Sequence, residues 1–239
     1  HPGKVPAVVH ASDARPVEAT VEGGVVRGVE GADVRAFLGL PYAAPPVGPL
    51  RWRAPQPVRS WRGVRDASRI GRDCTQALGR DAILGGGGGI VFGSEDCLYL
   101  NVYAPAEVGP HPVMVFLPGG AFTIGAGANY DPTRLAVEQG RVVVTVNYRL
   151  GALGWLAHPG FAADGDGLGG NWGLMDQQAA LRWVRANIAG LGGDAADVTV
   201  FGESAGAWSA CHLMASPGSQ GLFDRGSLQS GTCIEPQAL

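Results

Sequence analysis

One serine sits between two glycines in Gly202-Glu203-Ser204-Ala205-Gly206, a G-x-S-x-G pattern. The pattern alone carries little. With 39 glycines in the chain, chance supplies about 0.3 such matches. The setting gives it weight. Val198–Phe201 reads as a strand and Ala207–Met214 as a helix. A serine at that junction is forced into a strained conformation that exposes its hydroxyl above the sheet edge. Gly202 and Gly206 are needed because side chains there collide where strand and helix converge. The helix N-terminus aims its dipole and free N–H groups at any oxyanion formed nearby. The chemistry this suits is nucleophilic attack on a carbonyl carbon.

A second segment fits the same chemistry. Leu117-Pro118-Gly119-Gly120-Ala121-Phe122 follows directly on the apolar run Val113–Leu117. Small residues there let backbone N–H groups point into a site unobstructed. Acyl transfer needs two or three such donors around the tetrahedral oxyanion, each worth roughly 2.7–4 kcal/mol of barrier.

A base is also required, because a serine hydroxyl is a poor nucleophile without one. The histidines are His1, His10, His111, His158 and His212. In strand-elbow hydrolases the order is serine, acid, histidine, and only His212 follows Ser204. Eight residues along one helix places it about 12 Å away along the axis, pointing away from the elbow. His212 is therefore expected to be a core or surface helix residue. Asp224 and Glu235 are the main later acids, and neither belongs to a recognisable triad motif.

The elements that must position these residues change character along the chain. Val17–Val21 and Val25–Val29 flank Glu22-Gly23-Gly24 as a hairpin, and Val34–Leu38 follows. Pro41, Pro45, Pro46, Pro49, Pro55 and Pro57 make residues 41–60 an extended coil. Gly85–Gly89 reads as a flexible loop tip, with no leading strand or following Lys-Ser/Thr for a phosphate cradle. After residue 110, Val113–Leu117, Arg141–Asn147 and Val198–Phe201 are continuous apolar runs, suited to parallel strands buried on both faces. A helix from Asn171 as cap through Ile188 carries Leu174, Leu181, Val184 and Ile188 on one face, with Gly190 just past its end. Gly226–Gln229 extends the sheet. Alternation of strand and helix predicts an α/β fold with a doubly wound sheet.

Composition narrows the function. The chain has 239 residues, 46% hydrophobic and 16% charged, with a formal net charge of −3, which is globular rather than disordered. Lys4 is its only lysine, and no basic stripe offers itself to phosphates, so no nucleic-acid partner is expected. No apolar run approaches the ~18–20 residues of a membrane span. The opening at His1, without Met or a short apolar signal core, fits a processed or trimmed terminus and not a membrane anchor. The four cysteines form no C-x-x-C pair and there is no His-rich tract, so no zinc or iron site is expected. A disulfide among them points to an oxidising compartment.

The ordered set of motifs resembles the type-B carboxylesterases, the α/β-hydrolases that include para-nitrobenzyl esterases, bile-salt-stimulated lipase and the cholinesterases. The resemblance covers nearly all of residues 18–235. It rests on Gly39-Leu40-Pro41-Tyr42-Ala43 leading to Pro45-Pro46-Val47-Gly48 and Leu50-Arg51-Trp52-Arg53; on Ser94-Glu95-Asp96-Cys97-Leu98-Tyr99-Leu100-Asn101-Val102; on Gly119-Gly120-Ala121-Phe122 and Asn147-Tyr148-Arg149; on Asn171-Trp172-Gly173-Leu174-Met175-Asp176-Gln177; and on Gly192-Gly193-Asp194 running into the Ser204 elbow.

The resemblance implies an α/β-hydrolase fold with a mostly parallel sheet and an N-terminal antiparallel region. The 239 residues would be the N-terminal portion of that single domain. It implies Ser204 as nucleophile, the N–H groups of Gly120, Ala121 and Ala205 as oxyanion hole, and Gly119 as the residue shaping the loop. Glu203 would lie behind the reacting atoms and bias the charge on the catalytic histidine, with Ser230 hydrogen-bonding near it. Cys74 and Cys97 would form a disulfide. Cys211 and Cys233 are not expected to bond to either, and their own state stays open. Arg51 with Glu95, and Arg149 with Asp176, would form ion pairs. The triad acid and histidine would lie outside this chain, in a C-terminal half on the same or a second polypeptide. The implied protein is a secreted serine esterase acting on a small-molecule ester without metal or organic cofactor. The alternative is a catalytically silent, cholinesterase-like binding or adhesion module. Two departures stand out: Pro118 replaces the usual His or Tyr before the glycines and removes a donor, and Leu191 replaces a Phe before Gly192-Gly193.

Overall fold

The computed structural model describes residues 13–78, 89–162 and 169–234. The Gly85–Gly88 part of the pentaglycine lies outside them, as do His1, His10 and Glu235. Eleven strands are present among the described residues: β1 (Arg15–Val21), β2 (Gly24–Glu30), β3 (Val34–Pro41), β4 (Val64–Asp66), β5 (Gln76–Leu78), β6 (Ile90–Phe92), β7 (Tyr99–Pro105), β8 (His111–Leu117), β9 (Val142–Val146), β10 (Gly193–Glu203) and β11 (Arg225–Gln229). The helices are α1 (Thr133–Gln139), α2 (Gly151–Trp155), α3 (Pro159–Ala162), α4 (Trp172–Asn187) and α5 (Ala205–Ala215).

The main sheet has nine strands in the order β1-β2-β3-β7-β9-β8-β10-β11, with β4 paired to β2. Pairing is antiparallel from β1 through β3 and β7 to β9, and parallel from β9 through β8 and β10 to β11. This is the α/β fold expected, with its antiparallel start. All five residues of β9 are buried, as a strand covered on both faces requires. The core gathers Val113, Val115 and Leu117 of β8, Val142, Val144 and Val146 of β9, Val198 and Val200 of β10, and Leu181, Val184 and Ile188 from α4 onward.

Several elements differ from expectation. The central strand β7 was not foreseen. Its register against β3 and β9 buries a polar residue, Asn101, which breaks the apolar run that marks β8 and β9. Asn101 accepts from the Gly39 N–H at 2.9 Å and donates to Thr145 Oγ1 at 3.0 Å, so the amide is satisfied inside the sheet. The Asn171 side chain makes no capping bond; its backbone carbonyl accepts from Met175 instead. Nor does Gly190 end the helix. A 3-10 turn (Ile188–Leu191) carries it on, and Gly192 stops it in the left-handed region at φ 93°, where glycine has no steric penalty. Residues 42–60 are coil as expected, apart from a 3-10 turn at Gly48–Leu50, whereas Pro41, expected in the coil, is the last residue of β3.

Two ion pairs tether irregular segments. Arg51 grips Glu95 with two bonds of 2.6 Å at a part-exposed site. Arg149 and Asp176 are nearly wholly buried, with side chains 3% and 0% exposed. Arg149 donates from Nε and Nη2 to the two carboxylate oxygens, both at 2.7 Å, and from its own N–H at 3.1 Å. Burial pushes the Asp176 carboxyl up, and the guanidinium pulls it back. This pair pins the segment after β9 to the first turns of α4.

Cys74 and Cys97 are bonded, as the family resemblance implied, and both are buried. Cys211 of α5 is bonded to Cys233, which tethers the segment after β11 to the helix that follows Ser204. Cys233 is exposed.

Two outcomes follow. Asp176→Asn leaves a buried guanidinium without its counter-charge and is expected to cost about 3–5 kcal/mol, read as a lower urea midpoint at unchanged slope. Under a mild dithiol, Cys211–Cys233 should open before Cys74–Cys97, because Cys233 is an exposed residue whereas Cys74 and Cys97 are both buried. Differential alkylation and peptide mapping check the order, and labelled Cys74 ahead of labelled Cys233 would contradict it.

Candidate active site

Ser204 occupies the single residue between β10 and α5, at φ 54° and ψ −121°. A non-glycine residue there carries roughly 1–3 kcal/mol of strain unless its surroundings enforce it. The enforcement is visible. Ser204 N–H donates to the Gln229 carbonyl of β11 at 2.9 Å, and the Ser204 carbonyl accepts from Ala207 and Trp208 at 2.9 and 3.1 Å. A Cβ on Gly202 would stand 2.3 Å from the Gly206 carbonyl carbon. A Cβ on Gly206 would stand 2.0 Å from the Leu117 carbonyl oxygen. The first contact is the strand–helix convergence expected at an elbow. The second was not foreseen: Gly206 lets α5 sit against the end of β8, where the glycine loop begins.

That loop therefore lies beside the serine. A Cβ on Gly119 would come within 2.6 Å of the Glu203 carbonyl oxygen, 2.8 Å of Glu203 Oε2 and 3.2 Å of Ser204 Cβ. Gly120 has φ 115°, and a side chain there would meet the Ile124 carbonyl at 2.2 Å. Ala121 and Phe122 follow with φ 53° and 60°. With Ser204 and Ser230 (φ 52°), four of the five positive-φ non-glycine residues found among the described residues stand in this loop, at the elbow or just after β11; Trp52 is the other. Such clustering is a common mark of functional sites.

The N–H groups of Gly120 and Ala121 donate to no protein group among the described residues. Ala205 is the first residue of α5, so its N–H has no intrahelical acceptor. The three backbone donors implied by the family resemblance thus lie on the loop after β8 and at the start of α5, without a protein acceptor on the loop or an intrahelical one on α5.

The loop is anchored on every side. The Gly120 carbonyl accepts from Thr123 and Ile124, and the Phe122 carbonyl from Gly151, at 3.0, 3.0 and 2.7 Å. Gln76 clamps Gly125 through both its amide atoms at 3.0 and 3.1 Å. Tyr148 donates to the Pro118 carbonyl at 2.6 Å. The Phe122 ring packs on Trp155 at 4.5 Å and faces Trp208 at 6.3 Å, making an aromatic flank beside Ser204.

Glu203 is half-buried beside Gly119. Ser230, expected near it, forms no hydrogen bond with Glu203 among the described residues. Gly231 packs onto the elbow: its would-be Cβ lies 2.6 Å from Ala207 Cβ and 3.2 Å from the Ser204 carbonyl. His212 is exposed on α5. His158 Nδ1 accepts from the Gly160 N–H, and His111 Nε2 lies 3.1 Å from the Glu107 carbonyl. Among the described residues no histidine bonds the Ser204 hydroxyl, and no group of three metal-ligating side chains is found.

The model of the Carboxylesterase family matches residues 13–239. The fumonisin B1 esterase of Sphingopyxis macrogoltabida is 47% identical over 239 residues, spanning 98% of this chain and 43% of that protein. The para-nitrobenzyl esterase of Bacillus subtilis is 44% identical over 215 residues, spanning 89% of this chain and 43% of that protein. Among solved structures, a Geobacillus stearothermophilus carboxylesterase superposes with a TM-score of 0.80 at 41% identity, covering 90% of this chain and 43% of that one. A structure of a para-nitrobenzyl esterase gives 0.79 at 42% identity, covering 87% and 43%. The chain thus spans less than half the length of these relatives.

The contact between α5 and β8 sets a steric test. Gly206→Ala introduces a carbon 2.0 Å from a backbone oxygen, which no side-chain rotation relieves. It is expected to destabilise by at least about 1–3 kcal/mol, checked by denaturant unfolding. A variant as stable as the parent would mean that the elbow is not packed this tightly.

Proposed function

The chain belongs to the carboxylesterase family, and from that premise we propose that it carries the nucleophile and oxyanion hole of a serine carboxylic-ester hydrolase. The single observation that carries this is the strained Ser204 set beside three unengaged backbone donors. A binding module has no use for such an arrangement, whose strain must be held by the rest of the fold.

The chemistry runs as follows. Ser204 Oγ attacks the ester carbonyl carbon while a histidine takes its proton. The carbonyl oxygen becomes an oxyanion, and the N–H groups of Gly120, Ala121 and Ala205 hydrogen-bond it. Collapse of the tetrahedral intermediate breaks the bond to the alkoxy oxygen, which leaves with the histidine's proton as alcohol. Water, deprotonated by the same histidine, attacks the acyl-serine and releases the acid. The positive end of α5 favours both negative intermediates. Glu203 lies next to the loop and favours the protonated histidine by charge. The histidine and its acid partner come from the part of the relatives' length that this chain does not span. We also place the protein outside the reducing cytosol, on the strength of its two disulfides.

In the full-length enzyme an organophosphonate should label Ser204 at one equivalent and abolish ester hydrolysis. Ser204→Ala should lower kcat by about 10⁴–10⁶ without changing the fold. Label on a different serine, or undiminished turnover by the alanine variant, would refute the assignment.

A further inference from the structure

Gly120 and Ala121 stand on a loop whose two ends touch. A Cβ on Gly125 would fall 2.4 Å from the Gly119 carbonyl oxygen and 3.8 Å from Pro118 Cβ, so the exit of the loop is laid on its entrance. Between the ends, the Gly120 carbonyl accepts from the N–H groups of Thr123 and Ile124 at 3.0 Å each and from Thr123 Oγ1 at 3.3 Å. These bonds close the turn on itself. Holding its exit in place takes a group from outside the turn, and Gln76 supplies it.

Gln76 is buried, and its amide bonds backbone groups. Oε1 accepts from the Gly125 N–H at 3.0 Å. Nε2 donates to the Gly125 carbonyl at 3.1 Å and to the Cys74 carbonyl at 3.0 Å. The partners fix the orientation of the amide. An N–H only donates and a carbonyl only accepts, so the oxygen faces the Gly125 N–H and the nitrogen faces the carbonyls, one proton for each. A flipped amide would lose all three bonds. Gln76 thus holds both backbone groups of Gly125, as a neighbouring strand would. Gly125 itself has φ 118°, a conformation that suits glycine. The grip is anchored in turn. Cys74 is bonded to Cys97, Thr75 donates its N–H to the Ser94 carbonyl at 3.1 Å, and Gln76 pairs with Phe92 across β5 and β6.

We propose that Gln76 is a positioning residue for ester hydrolysis, its amide holding Gly125 against Gly119 so that Gly120 and Ala121 keep their N–H groups aimed at the oxyanion formed on Ser204. The inference rests on the acyl-transfer reading of Ser204 given above. Two backbone contacts carry the effect. Gly125 lies on the Gly119 carbonyl, and a Cβ on Gly119 would stand 3.2 Å from Ser204 Cβ. A shift at Gly125 therefore passes through one contact to the residue beside the nucleophile. The two loop donors lie between these contacts, and both hold positive φ, 115° at Gly120 and 53° at Ala121. Such conformations persist only where the surroundings enforce them. Gln76 acts through Gly125 and takes no part in the bonds that form or break.

The test uses the full-length enzyme with Gln76→Met and Gln76→Glu. Methionine keeps the length of the side chain and loses all three bonds. Glutamate keeps an acceptor for the Gly125 N–H but cannot donate to both carbonyls. Active sites are counted by organophosphonate titration of Ser204 to completion, and rates are expressed per titrated site. Gln76→Met should lower kcat about tenfold and leave KM within about twofold, the pattern of an interaction made only in the transition state. Gln76→Glu should lower kcat in the same direction, again with little change in KM. A trifluoromethyl ketone, which forms the tetrahedral adduct on Ser204, should lose affinity by the same factor as kcat. A purely structural role would reduce the number of titratable sites and leave kcat per site at the parent value; that result overturns the proposal, as does a raised KM at unchanged kcat. If Gln76→Met does not fold, Gln76→Glu decides by the same readouts. A parent enzyme not labelled at Ser204 removes the acyl-transfer reading and this inference together, whereas a labelled parent with unaffected variants removes the inference alone.

Discussion

A backbone contact with no side chain in it organises this molecule: the start of α5 lies against the last residue of β8. A β-carbon on Gly206 would fall 2.0 Å from the Leu117 oxygen, and one on Gly202 would fall 2.3 Å from Gly206. β10 must therefore become α5 within one residue, and that residue, Ser204, takes a conformation that side chains avoid. The same proximity sets the loop after β8 beside the serine. The parallel register of β8 and β10, with Leu117 opposite Gly202, brings both strands to the same edge. Nucleophile and oxyanion donors thus share one origin, the close approach of two strand ends, and neither could be moved without the other.

Apolar packing does not by itself select that arrangement. β8, β9 and β10 all present valines to the core, and valine ladders tolerate more than one register. Buried polar groups discriminate. Asn101 is satisfied only when Gly39 and Thr145 flank it. Asn147 receives the Gly127 N–H at 2.9 Å and donates to the Arg72 carbonyl at 3.0 Å, which joins three loops at the end of β9. Arg149 requires Asp176. Each group costs a desolvation penalty if its partners are displaced, so a slipped strand loses several bonds at once. The segment Asn147-Tyr148-Arg149 spends its three side chains on three separate tethers, one of which is the tie to the Pro118 carbonyl.

Much of this was legible in the sequence, for identifiable reasons. Continuous β-branched runs marked β8, β9 and the Val198–Phe201 part of β10 because strands buried on both faces need no alternation. The elbow and the glycine loop were legible because their backbone geometry admits few residue types, so the constraint is written in glycines. The Arg149–Asp176 and Cys74–Cys97 pairs were reached through family resemblance and are present. β7 was illegible because Asn101 interrupts its apolar character, and its justification lies on two other strands. The glycine stop beyond α4 was misplaced by two residues because Gly190 and Gly192 both look like helix stops, and only the 3-10 turn decides between them. The Cys211–Cys233, Gln177–Ser209 and Tyr148–Pro118 bonds join residues 22, 32 and 30 positions apart; no local pattern reports such meetings.

The strained residues explain why so many tethers converge here. Ala121, Phe122, Ser204 and Ser230 each hold a positive φ, at about 1–3 kcal/mol apiece. Together that approaches the whole net stability of an ordinary domain, about 5–15 kcal/mol. Strain of that size relaxes unless the surroundings cost more to rearrange than it releases. Around the loop the resisting terms are the Gln76 clamp on Gly125, the Tyr148 tie to Pro118 and the tilted packing of Phe122 on Trp155. Around Ser204 they are the bond to Gln229, the packing of Gly231 on Ala207 and the disulfide that holds Cys233 to α5. Each restrains a different neighbour of a strained residue, so no one rearrangement relieves them all. Oxyanion stabilisation works only if the donors are already aimed when charge develops. The energy stored in the four conformations and the rigidity that retains it are therefore one requirement, met by the tethers rather than by the sheet.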